Sequence, residues 1–156
     1  MGAASDKLQL KLESLIERAC KALILEINRE LRKSGTGTPV DTGHARASWI
    51  PAVGAPNLVE PEGTSSALAS AGAAQVMAYK LAQGTLFLSN VAPYIRRLNA
   101  GHSQQAPTMF VELCIARAMA TIKAKMGVDF GLDSFVADMG GMQAGNVAEA
   151  FSPFGD

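Results

Sequence analysis

The sequence predicts a chain of the α+β class, and three observations carry that expectation. Apolar residues recur at spacings of three and four over 6–33 and again over 107–126, the period of a helix buried along one side. Between these stretches lie two short runs, Trp49-Ile50-Pro51-Ala52-Val53 and Thr85-Leu86-Phe87-Leu88-Ser89-Asn90. Both are rich in strand-forming side chains and flanked by turn residues. After residue 126 the period is lost, and the last 30 residues hold six of the 15 glycines.

The first helix is anchored by Leu8, Leu12, Leu15, Ala19, Leu23, Ile27 and Leu31, one apolar stripe along a long amphipathic cylinder. Ser5 or Asp6 can cap its start, and Gly35 follows its end. Its Glu, Lys and Arg side chains form the solvated side, with pairs at i,i+4. At "SGTGTPVDTGHARASW", 34–49, that helix breaks and a short new turn opens, with Asp41 or Thr42 able to accept backbone N–H groups at its start. The 49–53 strand contains Pro51, which lacks an N–H and favours a sheet edge. Residues 54–72 are a Pro/Gly/Ser-rich surface excursion, from whose far end a small alanine-rich helix grows over about 66–82. A turn at Gln83-Gly84 leads into the 85–90 strand. The final helix is expected from Pro107, a residue suited to a first helical turn, to about Met126, with Gly127 ending it.

Residues 1–126 thus read as one α+β domain, and 127–156 as an irregular, acidic arm. The arm has five acids and no Lys or Arg, yet it carries four of the six Phe: Phe130, Phe135, Phe151 and Phe154. Exposed aromatics forgo favourable burial. These four are therefore expected to anchor the arm on its own core or on a neighbouring subunit.

Composition narrows the function classes. At 156 residues, 48% hydrophobic and 18% charged, the chain has the make-up of a single folded domain rather than a disordered segment. A formal net charge of zero argues against a clamp that grips nucleic acid or anionic lipid by bulk electrostatics. Charges near the start exclude a signal-peptide core there, and no apolar run approaches a membrane span. Cys20 and Cys114 fall within helical runs and read as small buried hydrophobes of a reducing compartment, the cytoplasm in which the chain is made.

Catalytic chemistry finds no support in the motifs. His44 and His102, the two histidines, are separated by 58 positions and have no Cys or His partner at metal-ligand spacing. "GTGT" at 35–38 lacks the Lys-Ser/Thr of a phosphate loop, and "DFG" at 129–131 has no companion kinase motifs. No catalytic residue, metal or cofactor is therefore expected. Arg96 and Arg97 could join Arg46, Lys80 and His102 in a basic patch for phosphate, the reading of a DNA-binding accessory protein. With few aromatics to stack bases, the favoured reading has these arginines meeting carbonyls or carboxylates at a subunit boundary.

Two segments together carry a resemblance. "PVDTGHARASW", 39–49, resembles the P-V-D-T-G-x-L-R-x-S-W signature of the neck and tail-completion proteins of tailed bacteriophages, which include minor tail proteins of the lambda Z type. "LSNVAPYIRRLNAGHSQQAPTMFVELCIARA", 88–118, resembles the later signature of that family, a strand end with Pro-Tyr, then Gly-x-Ser, then Ala-Pro and a helix. The likeness covers about residues 6–126. The chain departs from the pattern at Ala45, commonly Leu in the family, and at Asn99, usually acidic.

The resemblance implies a small antiparallel sheet packed against the long N-terminal helix and the last helix. It further implies a structural virion protein at the head–tail junction, a homo-oligomeric ring of about six copies joining the head connector to the tail terminator or tail-tube protein. Phage DNA would pass through its lumen without sequence-specific binding. A tail terminator capping the tail tube is the nearest alternative. Within these two segments Asp41, Thr42, Gly43, Arg46, Trp49, Pro93, Tyr94 and Gly101, together with Arg96 and Arg97 of the corner, become candidates for the subunit interface.

Overall fold

The structure is a computed structural model and describes residues 2–140. Its first element is α1, Ala3–Arg32, a 30-residue helix about 45 Å long. It starts three residues earlier than expected, with Gly2 in the capping position and no side-chain cap. The segment after it turns back sharply, with the Gly37 and Thr38 amides donating to the Lys33 and Leu31 carbonyls. Gly37 is required there because a Cβ would stand 2.5 Å from the Glu30 carbonyl oxygen.

A single turn, α2 (His44–Ala47), leads into β1, Trp49–Val53. After the excursion come α3, Ala67–Met77, a 3-10 turn at Leu81–Gln83, and β2, Leu86–Asn90. The strands pair antiparallel, with Trp49 opposite Asn90, Pro51 opposite Leu88 and Val53 opposite Leu86. In a two-stranded sheet both strands are edges, which is how β1 accommodates Pro51. Helix α3 lies against β1. The approach is so close that a Cβ on Gly72 would fall 2.0 Å from the Pro51 carbonyl oxygen. The alanine-rich composition of α3 permits this contact, since small side chains keep the two backbones near each other.

Two helices follow: α4, Ile95–Asn99, and α5, Phe110–Met126, which packs along α1. The main core joins Leu31 of α1, Trp49 of β1 and Phe110 and Cys114 of α5, with Ile27, Leu88, Ile95 and Leu98 packed around them. The expected architecture of helices on a small antiparallel sheet is the one observed.

The last helix begins three residues after Pro107, because Met109 takes a left-handed φ of 62° immediately before it. Within the C-terminal arm the structure adds an element, α6, Leu132–Gly140. Asp129 caps it, its Oδ1 accepting the amides of Gly131 and Leu132 at 2.9 and 3.0 Å, and its other oxygen pairs with Lys123 at 3.0 Å. These donors pull the Asp129 carboxyl down to about 2, the Leu132 amide contributing most. Met139, Phe135, Val136 and Leu132 pack on Leu113 and Ala116 of α5. Phe135 thus docks on its own domain, while Phe130 borders a hollow against Cys20 and Leu23 of α1. Phe151 and Phe154 lie outside the described residues.

Burial is uneven along α1. Its stripe is covered from Ala19 onward, but residues 2–12 are all exposed, and Leu8, Leu12 and Ile16 are 68%, 54% and 39% accessible. No helix among the described residues is long and apolar enough to cross a membrane.

Candidate functional site: a groove between two distant segments

The D-T-G segment and the Pro-Tyr corner, some fifty residues apart in sequence, form the two sides of one groove of about 440 Å³. Pro39, Asp41, Thr42, Gly43 and Ala45 line one side; Tyr94, Leu98, His102, Ser103 and Gln105 line the other. Gly43 takes a φ of 87° before α2, a left-handed conformation that favours glycine, and Thr42 Oγ1 accepts the His44 amide at 3.4 Å. The turn holds Ala45 against the strand end, where its carbonyl accepts the Asn90 side-chain amide at 2.8 Å. A second tie closes the groove, since the Val40 amide donates to Gln105 Oε1 at 3.0 Å.

On the corner side, Asn90 Oδ1 accepts the Ala92 amide at 2.9 Å and turns the chain out of β2 into Pro93-Tyr94. Pro93, Tyr94, Arg96 and Arg97 are exposed, and neither arginine makes an ion pair among the described residues. Gly101, with a φ of 95°, reverses the chain after α4, and a Cβ there would meet Thr108 Oγ1 at 2.5 Å. Asn99 locks the corner onto α5. Its carbonyl accepts the Met109 amide at 2.7 Å, its Oδ1 accepts the Val111 amide at 2.9 Å, and its Nδ2 donates to both Glu112 oxygens at 3.1 and 2.8 Å. The start of α5, which lacks a side-chain cap of its own, is therefore capped from a different helix. An acidic side chain at 99 would set two carboxylates together, which explains why this chain, with Glu112 in place, carries the amide.

Two residues expected at an interface, Trp49 and Arg46, are instead spent inside the domain. Trp49 is buried, and its indole N–H donates to Thr38 Oγ1 at 2.8 Å. It is a core residue and presents no ring to a neighbour. Arg46 donates to the Thr38 carbonyl at 3.1 Å and, more weakly, to the Lys33 carbonyl at 3.5 Å, fastening the loop after α1. Burial next to the positive Arg46 lowers the pKa of Arg32, which donates to the Trp49 carbonyl at 2.7 Å. The basic patch is not assembled either. Lys80 pairs with Glu17 of α1 at 3.1 Å, and Arg46 is turned inward, which leaves Arg96, Arg97 and His102 on the corner.

Gln105, Asn90 and Asn99 are the residues that the sequence left without a role. Asn and Gln are frequent loop residues, and only the folded chain shows which carbonyl or amide each one meets. His44 is likewise occupied with structure, its ring nitrogens reaching the Gly63 carbonyl at 2.7 Å and Glu60 at 3.0 Å, which pins the excursion. Cys114 is buried, which raises its thiol to about 12 and removes it from nucleophilic chemistry. No group of three His, Cys, Asp or Glu among the described residues is arranged to hold a metal ion. Compared with family models, with curated proteins and with solved structures, the chain matches none.

Proposed function

We propose that this chain is a structural protein of a tailed-phage virion that works at the head–tail junction as a neck or tail-completion ring. One observation carries the reading. The two segments that resemble the neck-protein signatures are hydrogen-bonded to each other through Val40–Gln105 and Asn90–Ala45, and they shape a single groove beside an exposed Tyr94. A ring needs a heterologous contact, one patch of a copy meeting a different patch of the next. Tyr is a residue type favoured at the centre of such contacts, and Arg at their edges pairs readily with carboxylates. Asp41, exposed on the opposite side of the groove, offers such a carboxylate. Connector and tail proteins are the further partners of this reading, and DNA is cargo that passes through.

The test is Tyr94→Ala in a phage that depends on the chain. The ring is truncated at an exposed position, so the domain folds, while heads and tails accumulate unjoined in electron micrographs. Normal yields of tailed particles from that variant would overturn the proposal.

A further inference from the structure

The groove between the D-T-G segment and the Pro-Tyr corner is lined for a cation. We infer that it receives the guanidinium groups of Arg96 and Arg97 from a second copy of this chain, so that copies join head to tail. The inference rests on the proposed ring contact and goes further in assigning both of its halves.

A groove of about 440 Å³ is of a size that holds a small ligand or inserted side chains. Asp41 is its one carboxylate, and no Lys or Arg lines it. Thr42, Ser103 and Gln105 each give an oxygen to a backbone amide of the groove's own walls. The Asp41 carboxylate, the Tyr94 hydroxyl and the His102 ring, all on exposed residues, meet no hydrogen-bond partner among the described residues. A carboxylate beside an aromatic ring suits a guanidinium, which makes charge-assisted hydrogen bonds to the first and stacks on the second. An anionic ligand would instead face Asp41 with no cation in the groove to answer it.

The matching cations stand on the other side of the same corner. Residues on a helix advance by roughly 100° each. Tyr94 and Leu98, which line the groove, are four positions apart and share one face of α4. Arg96 stands about 180° from that face and Arg97 about 80° from it. Both are exposed, and neither they nor Asp41 make an ion pair among the described residues. The Asn99 clamp holds α4 on α5, so the two arginines project from a fixed turn. With the receiving and the offered surface on different sides of one corner, the contact is heterologous. Each copy that receives a neighbour's arginines offers its own to the next, and a two-fold pair cannot satisfy both. Residues 141–156 of the same chain hold no Lys or Arg and so supply no such group.

Sedimentation of the full-length protein over a range of concentrations tests the inference. Wild type is expected to form assemblies larger than a dimer, and salt should weaken them. Asp41→Arg sets cation against cation, and Arg96→Glu/Arg97→Glu sets carboxylates against a carboxylate. Each alone should lower the association constant by about a hundredfold or more, with the circular dichroism of the domain unchanged. Asp41→Asn, which keeps the size of the side chain, should lower it by about tenfold. An equimolar mixture of Asp41→Arg with Arg96→Glu/Arg97→Glu should recover assembly, since every contact between unlike copies again pairs opposite charges. A wild type that stays monomeric or stops at a dimer, variants that assemble as wild type does, or a mixture that stays dissociated overturns the inference. Placement at the head–tail junction is read separately, from particles, so a failure here is distinct from a failure of that reading.

Discussion

Replacing Asn99 probes whether the corner is held by the clamp described above. Asn99→Ala removes the acceptor for the Val111 amide and both donors to Glu112, while the carbonyl that takes the Met109 amide remains. Loss of a helix cap costs about 1 kcal/mol. The hydrogen bonds to Glu112 are charge-assisted, but both side chains are only half-buried and water replaces part of the loss, leaving about 1 kcal/mol more. The sum of about 2 kcal/mol corresponds to a fall in Tm of about 6 °C for a domain of this size, read by circular dichroism. Asn99→Asp is the informative partner. It keeps an acceptor for Val111 but sets a carboxylate against Glu112, so folding raises the pKa of that pair. The penalty is then fully present at neutral pH and disappears as pH falls below the unfolded carboxylate range, about 4. A fall of under about 1 °C for Asn99→Ala, or an Asn99→Asp deficit independent of pH, would refute the clamp.

Other substitutions test other contacts. Gly72→Ala should cost about 3 kcal/mol in chemical denaturation, because α3 must retreat from the Pro51 carbonyl; a change under about 0.5 kcal/mol would show that the close approach is not real. Thr38→Val leaves the buried Trp49 indole without its acceptor and should cost about 1–3 kcal/mol, whereas Ser in place of Thr38 should restore most of it. Asp129 has a folded pKa near 2 against an ordinary 3.8, so its contribution to α6 is complete above 3.8 and is lost as pH falls through about 2. An NMR titration of its carboxyl with a midpoint near 3.8 would contradict the cap.

How much of this was legible in the sequence depends on the range of the interactions involved. Strand β1 was read with its observed ends because Trp-Ile-Pro-Ala-Val is a short run with local breakers on both sides. The start of α5 was not, since a cap supplied by Asn99 leaves no signal near Pro107. Helix α6 carries Leu132, Phe135, Val136 and Met139 at helical spacings, but nine residues among glycines are too few for a clear period. The letters of the two groove segments could be read, whereas the Val40–Gln105 tie spans 65 positions and has no local trace. Trp49 and Arg46 stand at signature positions that suggest an interface, but burial, which depends on the whole chain, turns both into the domain. The exposed end of the α1 stripe is the reverse case: its period predicts burial, and nothing within the described chain covers it.

In the proposed role the chain joins parts of a particle through its surfaces. Immunogold labelling of intact virions with antibody raised against the purified chain tests it most directly. Label confined to the point where head meets tail is the predicted result. Label distributed along the tail, or absent from particles that contain every other structural protein, would contradict it.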